Sequence, residues 1–477
     1  MKLKDLAREI YLFQLEYYDI KRYLKASKHV KEVFFERKID FTPKLISILI
    51  ASILSLFLIN LIIYHLWGIS LTLILFILFS SFIYIHLFKY FLIIGSLFVY
   101  PIELIIKNLI YFIAKLKLKR CKNLIVIGIA GSYGKTSTKN IISYLLEQKY
   151  IVLKTDKSIN TPLGICKIIL KQLNKSHDFF VVEIGEYKKG DVREIANIVE
   201  PHIGIITGIN EAHNERMGGI KNAIETIFEI TESKKIGEIY INIDDINIKN
   251  SYKKYESAKY QFVPYSSSKT DECGIEELEF DTDGNGQKWK LQDFKSSQTI
   301  IGKTKLIAEY ALGLIMLCYL FNKRFNIVST NQFIKIIEHY KGTPHRLYLI
   351  KNSKNLIIID DSYNSNPNGA KEAIKTLAKF KNRRKIYITP GIVELGDLSY
   401  EKHFYIGELL AGYGINVILL IENSNIKGII DGALSKGFRK ENIIIFRNRS
   451  ELHKNIEKFT EPGDVLLFQN DVTENYF

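Results

Sequence analysis

The stretch 125–140 reads IVIGIAGSYGKTSTKN: a β-branched run, a glycine-bearing loop, then residues suited to a helix. Gly131 and Gly134 permit close backbone approach. Ser132 and Tyr133 lie between them, and Lys135, Thr136 and Ser137 follow. Between a strand and a helix, these residue types hold phosphate. Backbone N–H groups and the helix N-terminus face the anion, and the ammonium reaches its outer oxygens. A threonine hydroxyl beside the lysine suits Mg²⁺, which prefers hard oxygen ligands. A full phosphate loop would carry one more glycine where Ile129 stands, so this loop is a shortened one. Other candidate residues are scattered. Glu183 ends a second β-branched run, and His213 lies in NEAHNERMGG. Arg346 follows Thr343–His345, and Asp360, Asp361, Tyr363, Asn364 and Asn366 crowd into IIDDSYNSNPNG. Taken singly, each is an ordinary surface polar residue, and Asn-Pro at 366–367 suits a turn ahead of a helix.

The elements that must position these residues come in two series. From 121 onward, short apolar runs alternate with helical segments, the pattern of a parallel α/β sheet. Strands are expected at 124–129, 151–153, 179–184, 203–207 and 239–243, then at 356–360, 385–389, 417–421, 443–446 and 465–468. The two series meet near 340–344. The polar stretch 279–294 reads as a hairpin turning at 283–286, a decoration and not a site.

The front of the chain is different. Runs 45–66 and 69–88 are uncharged and apolar, each long enough to cross roughly 30 Å of hydrocarbon. A third run, 90–106, is interrupted by Pro101 and Glu103. The 477 residues hold 66 Lys+Arg against 51 Asp+Glu, a net charge of +15. Much of the excess flanks the apolar block, which favours membrane lipids as partners and argues against nucleic acid. The positive-inside rule then places both ends in the cytoplasm. The expectation is a multi-pass cell-membrane protein with two or three crossings and cytoplasmic catalytic domains. Expected boundaries are 1–44 for a basic amphipathic segment, 45–106 for transmembrane helices and 107–120 for a basic linker. The two α/β domains follow at 121–340 and 341–477. Four cysteines match no metal spacing and read as reduced thiols.

GSYGKTST resembles the shortened loop of the Mur ligases, the ATP-dependent amide-bond-forming enzymes of peptidoglycan precursor synthesis. NTPLG (160–164), VVEIGEYKKGDV (181–192) and ITGINEAHNERMGG (206–219) resemble further blocks of that family, in its order. So do HRLYLI with IIDDSYNSNPNG (358–369), and TPGIVELG (389–396) with His403 beyond it. The blocks span roughly 121–470 and are most similar to the D-alanyl-D-alanine-adding, MurF, type.

The fold class expected is α/β: the apolar runs give an N-terminal transmembrane helical hairpin, and the resemblance implies a central ATP-binding domain and a C-terminal Rossmann-like domain after it. It implies ATP and Mg²⁺ as cofactors, with muramyl-peptide and dipeptide substrates joined through an acyl phosphate. It implies catalytic roles for Lys135, Glu183 and His213, and metal ligation by Thr136, Glu183 and His213. The nucleotide would be held by Gly131, Ser132, Tyr133, Gly134, Lys135, Thr136 and Ser137. Arg346, Asp360, Asp361, Tyr363, Asn364 and Asn366 would face it from the C-terminal domain.

Several positions depart from the family pattern. Ile227 stands where the family usually has a carbamylated lysine, with Glu225 and Glu229 as nearby acidic alternatives. Thr304 and Ala308 stand where a His and an Asn often lie near the adenine. QNDVT (469–473) replaces a Lys-Gly-Ser. The apolar block stands in place of the usual UDP-sugar-binding domain, so the acceptor is either UDP-linked or lipid-linked. Two other functions stay open on the residues: a Mur-like ligase of the poly-γ-glutamate synthetase type, and a non-catalytic nucleotide-binding membrane protein.

Overall fold

A computed structural model of the chain describes residues 3–16, 18–29, 39–67, 69–210, 217–351, 355–363, 365–393 and 395–470. His213, Asn364 and residues 471–473 of QNDVT therefore lie outside the described residues. The chain divides into two compact units, Met1–Phe112 and Ile113–Thr473.

The first unit is helical: Leu3–Leu15, Ile20–His29, Pro43–Trp67 and the start of Ile69–Lys119. The second and third apolar runs thus form one continuous helix, with Pro101 inside it. Leu12, Phe13, Tyr23, Ile48, Phe88 and Leu92 make its core. The two long helices approach closely at Gly95, where an added Cβ would lie 2.4 Å from Ser52 Oγ. Ser52 turns its hydroxyl onto backbone carbonyls, at 2.6 Å from Ile48 O and 2.9 Å from Phe91 O.

The multi-pass expectation is not upheld. Among the described residues, one helix, Phe88–Lys119, is long and apolar enough to cross a membrane. The helix Pro43–Trp67 is apolar over Pro43–Ile59, beyond which its side chains are only partly described. Packing accounts for part of this: Ile48, Phe88 and Leu92 are covered by protein, while Ile50, Ile53 and Phe57 stay exposed.

The second unit is built on sheets. β1 (Ile125–Ala130), β2 (Val152–Lys154), β3 (Phe179–Glu183), β4 (Ile203–Ile206), β5 (Glu238–Asn242) and β6 (Gln261–Tyr265) form one sheet, all parallel. Its order is β2-β3-β1-β4-β5-β6. The edge strand β6 was not expected; Pro264 masks it in the sequence, and edges are where strands tolerate proline. β1 lies between β3 and β4, so the connections part to either side of it. Open α/β sheets bind ligands at such a switch point, at the carboxyl ends of the strands.

β7 (Cys273–Asp281), β8 (Gly286–Asp293) and β9 (Gln298–Thr304) make a small antiparallel sheet, the expected hairpin with a third strand added. Trp289 on β8 is fully buried in the main core. Helix Tyr310–Phe325 is buried from Ala311 to Phe321, which explains its lack of a polar stripe.

The second six-stranded sheet comprises β10 (Tyr348–Lys351), β11 (Ile357–Asp361), β12 (Lys385–Thr389), β13 (Val417–Ile421), β14 (Ile443–Phe446) and β15 (Val465–Gln469). Its order is β10-β11-β15-β12-β13-β14. Every pairing is parallel except that of the unexpected edge strand β10.

Candidate nucleotide site

The registers Ile129↔Glu183 and Ala130↔Ile206 bring three strand ends together around the glycine loop. Gly131 has φ 144° and Gly134 φ 80°, a region that side chains rarely adopt. Space excludes a side chain at Gly131 as well: its Cβ would lie 2.2 Å from Thr207 Oγ1. The loop is fastened to the end of β4, since Ser132 N donates to Gly208 O at 2.7 Å. Tyr133 packs its ring on Gly208, whose missing Cβ makes room, and its hydroxyl donates to Asp245 Oδ2 at 2.7 Å. Burial and the Asp245 carboxylate push the Tyr133 phenol up. The Tyr133 side chain therefore anchors the loop, leaving its backbone to line it.

Helix Lys135–Leu146 begins directly after the loop. Thr136 Oγ1 donates to Glu183 Oε2 at 3.0 Å, and both residues are buried. Lys139 Nζ reaches the same oxygen at 3.1 Å and also bonds the Lys157 carbonyl. Lys139 is 1% exposed; burial lowers its pKa while Glu183 opposes that. Lys135 Nζ bonds Glu186 Oε1 and Oε2 at 2.9 and 2.8 Å, and the Gly131 carbonyl. Ser137 is half-buried on the same helix.

Lys139 and Glu186 were not singled out from the sequence. The signal for Lys139 was available: four residues after Lys135 on a helix, it shares that face. Glu186 follows Glu183 in an irregular segment, where spacing carries no rule. Asn160 of NTPLG packs beneath that segment: Gly185 N donates to Asn160 O at 2.9 Å, and Tyr187 OH to Asn160 Oδ1 at 3.4 Å.

The second sheet contributes from the end of β11. Asn366 caps helix Pro367–Ala378 through Gly369 N at 3.0 Å. Its Oδ1 also accepts from Asn210 Nδ2 at 2.7 Å, which ties the two sheets together beside the loop. Asn140 and Thr343 add a second tie at 3.1 Å. Arg346 lies over the Tyr363 ring, 4.4 Å from its centroid. Asp360 is held by His345 at 2.9 Å and by the Ser362 hydroxyl at 2.6 Å. Burial pushes the Asp361 carboxyl up to about 7, against the opposing pull of Arg346 and of Leu347 N, which donates to it at 3.2 Å.

The positions that depart from the family pattern divide clearly. Ile227 is fully buried in the core. Glu225 pairs with Lys189 at 2.7 Å, and the Glu229 carboxylate accepts Gly190 N and Arg193 N at the start of helix Asp191–Val199. Neither bonds Lys135, Thr136 or Glu183 among the described residues. His403 is also structural. Buried and held neutral by desolvation, it accepts Ile392 N at 2.8 Å and donates to Ser399 O at 2.6 Å.

Thr136 and Glu183 fit a hard cation: two oxygens 3.0 Å apart on rigid elements at a strand end. Two surface cavities, of 420 Å³ beside Arg384 and Arg439 and of 210 Å³ beside Lys115 and His202, include none of the candidate residues.

Known proteins are similar to this chain in sequence and fold. Residues 129–313 match the Mur ligase middle domain, and 345–469 match the Mur ligase, glutamate ligase domain. The UDP-N-acetylmuramoyl-tripeptide–D-alanyl-D-alanine ligase of Bacillus subtilis is 26% identical over 346 residues, 72% of each chain. The UDP-N-acetylmuramoylalanine–D-glutamate ligase of Prochlorococcus marinus is 27% identical over 355 residues, 73% of this chain and 67% of the relative. The crystal structure of MurF ligase from Thermotoga maritima in complex with ADP superposes with a TM-score of 0.66 at 22% identity, covering 76% of this chain and 80% of that one. With both domain matches carrying the loop, Glu183 and the IIDDSYNSNPNG turn, the chain belongs to the Mur ligase family.

Proposed function

We infer that this chain is an ATP-dependent, ADP-forming ligase that adds D-alanyl-D-alanine to a muramyl-tripeptide carboxylate. The observation that carries the reading is the Asn210–Asn366 contact. It brings IIDDSYNSNPNG, the segment most similar to the MurF type, against the strand ends that hold Lys135, Thr136 and Glu183.

The chemistry asked of these residues is positioning and charge neutralisation. Lys135 and the loop N–H groups hold the outer phosphates of ATP. Thr136 and Glu183 would hold Mg²⁺, with His213 as a further proposed ligand; when bound, the ion neutralises phosphate charge. The substrate carboxylate attacks the γ-phosphorus, forming a C–O–P bond and releasing ADP. The dipeptide amine then attacks the acyl carbon, phosphate leaves, and the amine gives up its proton. Arg346, 4.4 Å above Tyr363, reaches toward phosphate from the second sheet in this reading. Asp360 and Asp361 would face the ribose or the ammonium, with Asn364 as a further proposed contact.

A second substrate is favoured by one finding. Identity to a D-glutamate ligase, 27%, is level to within one percentage point with the 26% to the D-alanyl-D-alanine ligase. The test is phosphate release with UDP-muramyl-tripeptide and D-alanyl-D-alanine, alongside muramyl-alanine with D-glutamate. Turnover with the first pair supports the lead reading; turnover only with the second replaces it.

For the N-terminal unit we propose contact with lipid acyl chains along one helix, not a multi-pass arrangement. Phe98 and Ile105 are 63% and 69% exposed on it. Flotation with phospholipid vesicles, lost in Phe98→Glu/Ile105→Glu, is the expected outcome. Equal flotation of both proteins would remove this proposal.

A further inference from the structure

An amine that attacks an acyl phosphate must first lose a proton. An α-amino group titrates near about pH 8, so at neutral pH most of it is ammonium, without the lone pair that makes the new bond. Lys135, Thr136 and Glu183 serve the phosphates, so the base is to be sought on the second sheet.

His345 has the geometry of one. Its Nδ1 lies 2.9 Å from Asp360 Oδ2 and 3.2 Å from Ser362 Oγ. The Ser362 hydroxyl already donates to Asp360 Oδ1 at 2.6 Å, so its proton is taken. Nδ1 must then carry the hydrogen and donate it, which leaves the lone pair on Nε2. No hydrogen bond engages Nε2 among the described residues, and the side chain is 58% exposed. A carboxylate on one ring nitrogen and an open lone pair on the other is the arrangement of a general base.

The fold sets this pair beside the phosphate side. His345 is two residues from Thr343, which bonds Asn140 on the helix that follows the glycine loop. Asp360 leads into the turn whose Asn366 bonds Asn210. The backbone is also costly here. His345 and Leu347 hold φ 62° and 46°, a left-handed region that few residues other than glycine occupy. Glycine at 345 would relieve that cost but would forfeit the imidazole.

We propose that His345 is the base that takes the proton from the incoming ammonium. The proposal rests on the ligase reading above and deepens it. Nε2 takes one proton, and the freed lone pair forms the C–N bond at the acyl carbon. The C–O bond to phosphate breaks, and its electron pair leaves with the phosphate. That phosphate takes the second proton from the new amide nitrogen. The exposed imidazolium, held by Asp360, returns its own proton to water.

The experiment compares two nucleophiles at pH 7 on the full chain, for wild type and His345→Gly. Glycine suits the φ at this position. ATP, Mg²⁺ and UDP-muramyl-tripeptide are supplied with either D-alanyl-D-alanine or hydroxylamine. Hydroxylamine is largely unprotonated at neutral pH, so it needs no base and traps the acyl phosphate as a hydroxamate. His345→Gly should lower the dipeptide reaction at least about a hundredfold and leave hydroxamate formation within about twofold of wild type. His345→Asn, which also tolerates this φ, should behave the same and serves if the glycine variant does not fold. Unchanged dipeptide turnover overturns the proposal. Equal losses with both nucleophiles overturn it too, because the variant has then lost the activation step that both share. No hydroxamate from wild type overturns the ligase reading on this carboxylate, and this proposal with it.

Discussion

Single residues in this site act through their partners more than through their own identity. Lys139 is the clearest case: its ammonium bonds Glu183 and the Lys157 carbonyl and is almost fully enclosed. Removing one member of a buried, hydrogen-bonded pair strands the other charge. Lys139→Met should therefore cost about 3–5 kcal/mol of stability, seen as a lowered urea midpoint. Lys135→Ala removes a group the phosphates need, so ATP-driven phosphate release should fall at least about a hundredfold; it also takes a buried partner from Glu186, so the melting temperature should fall as well. Asp361 makes a pH prediction with a definite sign. Its folded-state pKa is raised to about 7 from 3.8, so the folded chain holds a proton that the unfolded chain has lost. The Asp361 contribution is intact below about pH 4 and is lost as pH rises to about 7. Asp361→Asn removes this titration. Its stability relative to wild type should rise between pH 4 and 7 and level off above 7. Denaturation at several pH values measures this, and a flat difference would remove the assignment.

At the scale of elements, the glycine loop is held by what packs behind it. Gly131 has both a positive φ and no room, with Thr207 Oγ1 2.2 Å from where a Cβ would be and Gly208 O at 3.0 Å. Gly131→Ala should displace the loop and weaken ADP binding at least about tenfold, or 1.4 kcal/mol. Gly190, also at positive φ, has nothing within 4 Å of its absent Cβ, so Gly190→Ala meets strain without collision and should cost far less. The contrast separates steric exclusion from conformational preference. The loop motif was legible in the sequence because it is local: a strand, two glycines, Lys-Thr, and a helix in one uninterrupted run. The strands β6 and β10 were not legible. Both are edges, one carrying Pro264 and the other short and pairing antiparallel, and edge strands need less of the apolar signal that marks a buried strand.

The whole molecule decides whether the two sheets act together. Asn210 reaches Asn366 directly, and Asn140 reaches Thr343. Asn366→Ala would also remove a helix cap, worth about 1 kcal/mol, so Asn210→Ala is the cleaner probe. It should leave ADP affinity within about threefold and lower turnover by about tenfold, because the second sheet loses a tie to the phosphate side. Equal losses in affinity and turnover would instead place Asn210 in the nucleotide seat itself.

The sequence alone determined what depends on short-range order. It located the phosphate loop, most of the parallel strands of both series, the hairpin at 279–294 and the six blocks that resemble the Mur ligases. Those signals survive without a structure because each lies within one element or one turn. Only the tertiary structure decided the partners. Lys135 rests on Glu186, Tyr133 turns to Asp245 as an anchor, and Glu229 serves a helix start. These are contacts between residues far apart in the chain, which no spacing encodes. The apolar front shows the same division. Hydropathy marks residues that avoid water but does not say what covers them. Packing around Ile48, Phe88 and Leu92 covers part of that surface with protein, and one described helix remains with the length to cross a membrane.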